Sequence, residues 1–550
     1  MRESFVPVLL ILGVLTGALA LQRKLVETRS RAATLIHVRA EDLVAEPIAE
    51  VGGAVRSGTG ADGGSDVTHL PQVTRLIRLA AHDSLPQALG AVQVMLDVNA
   101  QDATAWCTRG MLLAKSNQHN AAIEAYQRAI QYSTGRARAV PLYNLGCLYR
   151  DLNRKTEAAE AFRRALDERP NYLEARLNLA ILTASESKRR SDARRMYDQL
   201  ARLAPGYPEA YYNRGVLGMA EGKLDSARVD FERAVRLDST FAKAWLNLGV
   251  VQSRLDHDAD AEKAYRRAVA ADPASSRARL NLAILLSGNK SGRAEARHIY
   301  DQLIASTPSY AEAYYNRGML GMMENGLDAA RVDFEKALHL NSKYARAWFG
   351  LGVLHSKAGR TDAAIAAYRG AIFADSDYMK ARVNLAVCLA RQKRYAEAAD
   401  INREIVQKDP NYARAWYNMG IALGRLDDFS GASAAYRKVI ALDGSNARAW
   451  QNLGTLYARQ KKLDKAIECY REALAIEPGN QPARFNLALA FSRQGKTELA
   501  RQEVTRLVRL APDYKKGHEL LAQLRGRSEG DKAVPAAAGD PGGDEDASGR

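Results

Sequence analysis

Between residues 103 and 514 the apolar positions recur every 34 residues, and inside each period they fall at helical spacing. The tryptophans mark the frame. Trp106, Trp245, Trp348, Trp416 and Trp450 are each followed by glycine four residues later (Gly110, Gly249, Gly352, Gly420, Gly454) and by tyrosine twenty residues later (Tyr126, Tyr265, Tyr368, Tyr436, Tyr470). Proline closes many periods, at Pro170, Pro205, Pro273, Pro308, Pro410, Pro478 and Pro512. Twelve units fit, beginning at Ala103, Ala139, Leu173, Pro208, Ala242, Ser276, Ala311, Ala345, Met379, Ala413, Ala447 and Gln481. The pattern predicts two antiparallel helices per unit, A then B. Small residues at positions eight, twenty and twenty-seven let the axes approach closely, and bulky ones at four, seven, eleven and twenty-four fill the gaps. Proline at position thirty-two stops helix B. The expected fold is all-α: a right-handed superhelical α-solenoid of about 12–13 helix-turn-helix units.

The ends of the array are atypical. Residues 69–102 form a degenerate capping unit, with Ala88 in register and no aromatic at position four. Residues 515–526 read as a closing helix whose Leu520, Leu521 and Leu524 cover the last core. A longer period is superimposed: RLNLAIL at Arg176–Leu182 returns 103 residues later at Arg279–Leu285, and EAYYNRG and ARVDFE repeat with the same offset. The building block is three units with one inserted residue, the mark of growth by tandem duplication.

The first 24 residues read as a membrane anchor or signal segment. Residues 5–21 carry no charge, the lower edge of the roughly 17–25 residues a bilayer-spanning helix needs. Arg23, Lys24, Arg29 and Arg31 follow the run, which predicts a single-pass anchor with the repeats on the cytoplasmic side. The alternative is cleavage near Ala20, placing an exported scaffold in the periplasm or envelope. Residues 25–68 read as a juxtamembrane helix followed by a glycine-rich tether, and 527–550 as a disordered acidic tail.

Charge sharpens the picture. The formal net charge of +16 is held by the array: residues 69–526 carry +20, against −1 before them and −3 after. Hydrophobic residues at 47% and charged ones at 26% exclude wholesale disorder. Cys107, Cys147, Cys388 and Cys469 form no CxxC pair and read as reduced thiols, not as a zinc site or a disulfide framework.

The Trp-Leu-Gly, Ala, Tyr, Ala, Pro pattern over residues 103–514 resembles that of tetratricopeptide-repeat proteins. The resemblance implies a protein-binding scaffold whose A helices expose positions two, five, six, nine, twelve and thirteen on a concave groove. Position six is asparagine in ten units: Asn144, Asn178, Asn213, Asn247, Asn281, Asn316, Asn384, Asn418, Asn452 and Asn486. Side-chain amides both donate and accept, so such a row can pair with the backbone of an extended peptide; asparagine here can equally bond neighbouring helices. The row is similar to the asparagine ladder of the tetratricopeptide part of O-GlcNAc transferase. Position two is basic at Lys243, Arg277, Arg346, Lys380, Arg414 and Arg448. Position thirteen is basic at Lys115, Arg254, Lys357, Arg391, Arg425, Arg459 and Arg493. These charges point to an acidic peptide or protein segment as ligand, unless they pair with carboxylates across units.

No HExxH, Walker, GxSxG or GxGxxG motif occurs in a suitable context, so the sequence points to no catalytic, metal-binding or cofactor-binding residue. The layout resembles lipopolysaccharide assembly protein B without its metal-binding end. The leading expectation is therefore a non-enzymatic, membrane-anchored adaptor, with an exported envelope scaffold or a basic RNA-binding solenoid as alternatives. Nucleic acid is disfavoured because position five lacks a systematic code of stacking residues.

Overall fold

The computed structural model of the protein describes residues 85–526. The run 5–21, the segments within 25–68, the first part of the degenerate unit and the tail 527–550 lie outside the described residues. Among the described residues every regular element is helical, with 26 α-helices and no strand. The expectation of a single-pass membrane protein is corrected here: among the described residues no helix is long and apolar enough to cross a membrane. The helices run 11–14 residues, about 16–21 Å at 1.5 Å per residue, well short of a hydrocarbon core about 30 Å thick.

The helices pack as two blocks, residues 85–299 and 300–526. Within each block, consecutive A and B helices stack as an α-solenoid. Unit 8 shows the plan. Its A helix is Ala345–Lys357 and its B helix Thr361–Ala374, and Ala364 and Ala371 on helix B are fully buried. At position eight the chain goes further than small residues. In all eight glycine-bearing units, a Cβ built on that glycine would stand 2.4–2.9 Å from the position-twenty-four ring, as at Gly352 against Tyr368 and Gly249 against Tyr265. Where position eight is alanine in a 34-residue unit, position twenty-four shrinks: Ala386 goes with Asn402, and Ala488 with Val504, all buried.

The A–B turn is set by one left-handed residue at position fifteen. It is Asn117, Asn153, Gly222, Asp256, Asn325, Gly359, Lys393, Asp427, Lys461 and Gly495, each with φ between 57° and 77°. The two 35-residue units replace this turn with a 3-10 segment, Ser187–Arg189 and Lys290–Gly292. The inserted residue of the 103-residue period therefore lies in these two turns.

Position four does more than fill space. Its side chain donates to the carbonyl six residues earlier, in the turn from the preceding unit: Trp348 Nε1 to Ser342 O at 3.0 Å, Trp416 Nε1 to Pro410 O at 2.9 Å, and Tyr211 OH to Pro205 O at 3.3 Å. In every third unit an arginine serves instead, with Arg176 bonded to Pro170 O, Arg382 to Ser376 O and Arg484 to Pro478 O at 2.6–2.9 Å. The shared requirement is an N–H or O–H donor at that reach, since the turn carbonyl has no helical partner. Position seven also departs from its apolar norm three times, at Arg109, which donates to Gln93 Oε1 at 2.6 Å, and at two arginines held by aspartates. Arg214 is bonded to both Asp230 and Asp198, and Arg317 to both Asp333 and Asp301. Burial pushes the Asp230 carboxyl up against the pull of Arg214.

Two outcomes follow. Gly352→Ala should lower stability by about 1–3 kcal/mol through overpacking on Tyr368. In urea melts the Gly352→Ala/Tyr368→Val double variant should lose less than the sum of the singles, and strict additivity would mean the ring and glycine are not coupled. Arg317→Leu should cost about 3–5 kcal/mol, because it leaves the Asp333 carboxylate buried and unpaired. Adding Asp333→Ala should recover part of that loss in the same melts.

Candidate functional site

Positions two, six and thirteen of an A helix lie on one face: at about 100° per residue they fall within roughly 40° of one another. They span about 16 Å along the axis. This face carries the asparagines and cations singled out in the sequence, and the structure divides them into two groups.

Asn178, Asn213, Asn247, Asn281, Asn316 and Asn486 are buried, none more than 8% exposed. Several amides are spent within the fold. The Nδ2 groups of Asn178, Asn213 and Asn316 donate to the backbone carbonyl four residues earlier, at 2.8–2.9 Å. Arg150 donates to Asn178 Oδ1 at 2.6 Å, and Asn247 Nδ2 donates to Tyr212 OH at 3.3 Å. Asn144, Asn384, Asn418 and Asn452 are partly exposed, and the last three belong to consecutive units 9, 10 and 11. Asn144 Nδ2 reaches Cys107 Sγ at 3.5 Å, Asn384 Nδ2 donates to Tyr368 OH at 3.4 Å, and Asn452 Nδ2 donates to Tyr417 OH at 3.1 Å. The Asn418 amide nitrogen is buried and has no hydrogen-bond partner among the described residues.

The basic residues follow a related but not identical division. Lys243 is exposed and Arg277 half-buried in the first block; Arg346 is half-buried in the second. Lys380, Arg414 and Arg448 at position two, and Arg391, Arg425 and Arg459 at position thirteen, are all exposed. Two of the position-thirteen arginines reach back to the preceding A helix. Arg391 donates to Ser356 Oγ at 3.3 Å, and Arg459 donates to Gly424 O at 2.7 Å and to Asp427 at 2.6 Å. Arg459 thereby satisfies a helix C-terminal carbonyl and both arginines sit at the negative end of the preceding A helix, so their charge is part of the fold as well as of the surface. Lys380 and Arg414 form no ion pair among the described residues.

The helices Met379–Arg391, Ala413–Arg425 and Ala447–Arg459 thus bring together three partly exposed asparagines and six exposed cations in one region of one block. Sequence reasoning missed the tyrosine hydroxyls that hold the asparagines. Their signal was present: Tyr143, Tyr212 and Tyr417 at position five each precede the asparagine they bond by one unit. Elsewhere the chemistry is quiet. Burial pushes the Cys147 and Cys469 thiols up to about 11, which keeps both protonated and unreactive at neutral pH. Among the described residues no three His, Cys, Asp or Glu side chains converge as a metal site.

Comparison with known proteins agrees with this architecture. Tetratricopeptide-repeat profiles match residues 103–134, 139–172, 182–240 and 218–279, and the profile of the cilia and flagella-associated protein 70 C-terminal domain matches 312–549. The chain carries tetratricopeptide repeats. It is 32% identical to the human protein O-mannosyl-transferase TMTC3 over 24% of its own length and 14% of that protein's. It is 29% identical to a barley protein, the probable UDP-N-acetylglucosamine–peptide N-acetylglucosaminyltransferase SPINDLY, over 30% of its length and 18% of the other's. The chain therefore spans less than a fifth of the curated relatives it matches. Among solved structures it is similar to YrrB, a tetratricopeptide-repeat protein with an unusual peptide-binding site, at 24% identity and a TM-score of 0.32, covering 34% of this chain and 95% of that one.

The two asparagine groups should behave differently. Asn178→Ala removes a buried, three-partner amide and should cost about 1–3 kcal/mol in a thermal or urea melt. Asn418→Ala should shift stability by less than about 0.5 kcal/mol. Equal losses at the two sites would show that the exposed asparagine is as structural as the buried one.

Proposed function

We infer that this protein is a non-enzymatic binding scaffold, and that the A helices of units 9 to 11 take an extended, acidic segment of a partner protein. One observation carries the reading: the cations at positions two and thirteen and the accessible asparagines of these three units lie on the same helix faces. Lys380, Arg414 and Arg448 form one rim and Arg391, Arg425 and Arg459 the other, about 16 Å apart by helix geometry. Between them the partly exposed side chains of Asn384, Asn418 and Asn452 offer polar groups able to meet a peptide backbone whatever its side chains, although the Asn418 amide nitrogen points inward. Carboxylates along the ligand would be drawn first by the summed field of the rims, so association speeds up at low salt.

The arrangement favours a narrower ligand contact than a ten-asparagine ladder. Six of the ten asparagines are buried in their own helices, so the reading rests on three, flanked by charges that do not all serve the fold. Lys380 and Arg414 carry the most weight, because neither has a carboxylate to neutralise it among the described residues.

A labelled deca-glutamate peptide provides the test. Lys380→Glu/Arg414→Glu/Arg448→Glu should weaken its binding by about 10–100-fold in fluorescence anisotropy, taking roughly 0.5–1 kcal/mol per exposed charge contact. The same triple variant should keep its helical circular dichroism, and the wild-type affinity should fall as salt is raised. Unchanged affinity in the folded triple variant would place the ligand elsewhere.

A further inference from the structure

A second site emerges on the opposite, B-helix side of the last unit. Between Leu463–Ile476, Gln481–Arg493 and Thr497–Leu510 lies a cavity of about 370 Å³, whose walls include Arg471, Arg484, Phe491, Leu499, Glu503 and Arg506. Arg484 stands at position four here, 4% exposed, and its charge is answered by Glu503 at 2.8 Å. Arg471 lies over the Phe491 ring, 5.6 Å from its centroid. Neither Arg471 nor Arg506 has a carboxylate at ion-pair distance among the described residues.

The sister units show what is missing. Arg266 and Arg369 occupy the place of Arg471, each beside a unit with arginine at position four. Arg266 pairs with Glu295 at 2.6 Å and Arg369 with Glu397 at 3.5 Å, both at the start of the following B helix. In the last unit that place is held by Leu499, which is 40% exposed. The cation is kept while its carboxylate is exchanged for an apolar side chain. The corresponding cavity of unit 2, about 340 Å³, has the reverse sign, with Glu157 and Glu160 against Arg164.

We propose that this notch binds a small organic anion, a single carboxylate or phosphate group borne on an apolar body, with Arg471 and Arg506 holding the anionic group and Leu499 and Phe491 the body. The anionic group takes the place that Glu295 and Glu397 fill in the sister units. Charge-assisted bonds from two guanidiniums supply orientation as well as affinity. The apolar wall excludes free inorganic anions from equal occupancy, because they gain nothing from Leu499 and Phe491. The site is separate from the A-helix face and shares no residue with it.

Phenyl phosphate titrated calorimetrically into the full-length protein should bind one molecule per chain. Arg471→Gln and Arg506→Gln should each weaken it by about tenfold, the loss of one charge-assisted contact. Leu499→Glu restores the carboxylate of the sister units at an exposed position, so it should abolish binding without unfolding the protein. Inorganic phosphate should bind at least about tenfold more weakly. Lys380→Glu/Arg414→Glu/Arg448→Glu should leave phenyl phosphate binding unchanged, which separates this site from the peptide face. Binding that ignores Leu499→Glu and both arginine variants, or inorganic phosphate binding as tightly as phenyl phosphate, would overturn the proposal.

Discussion

A tyrosine or phenylalanine ring from helix B rests where the side chain of position eight on helix A would stand, and the close approach of the two helices depends on that contact. Eight units use glycine there, with no room for even a methyl group against the ring. In those units the contact fixes the spacing within a pair and buries the ring in the core between the two helices. Because the core of each unit is built from its own pair and its neighbours, stability sums along the array. The positions that do not touch this contact are free to vary, and they carry the chain's individuality.

The variation is ordered. Every third unit replaces the aromatic at position four by arginine, and the replacement keeps the hydrogen bond to the turn carbonyl while importing a charge. In two of these units a carboxylate answers that charge, Glu404 for Arg382 at 2.6 Å and Glu503 for Arg484 at 2.8 Å, while Arg176 is met by the neutral Gln199. The same logic produces the Arg214 and Arg317 clamps, each held by two aspartates. Many of the cations are therefore matched by carboxylates of neighbouring units, while the net excess has no carboxylate to match it; Lys380 and Arg414 form no ion pair among the described residues. This narrows the candidate surface from a whole groove to three A helices.

The fold was legible in the sequence because its main determinant is periodic: glycine, ring and proline recur at fixed offsets, and the A helices start where the 34-residue frame places them. The use of each asparagine was not legible. Asn178 and Asn418 occupy the same position in the frame, yet one is sealed beneath Arg150 and Tyr143 while the other is partly exposed, with its amide nitrogen turned inward and unpaired. The difference comes from neighbours one unit away, which a pattern along the chain does not rank. The double role of Arg459, cation at the surface and cap for the preceding helix, was hidden for the same reason. The membrane assignment rested on residues 5–21, and no described helix supports it.

The central claim is that units 9 to 11 present the ligand-binding face. Hydrogen–deuterium exchange with and without the deca-glutamate peptide measures this most directly. Slowed exchange should centre on Met379–Arg391, Ala413–Arg425 and Ala447–Arg459, with their B helices unchanged. Protection on the B helices, or spread evenly over all twelve units, would contradict it.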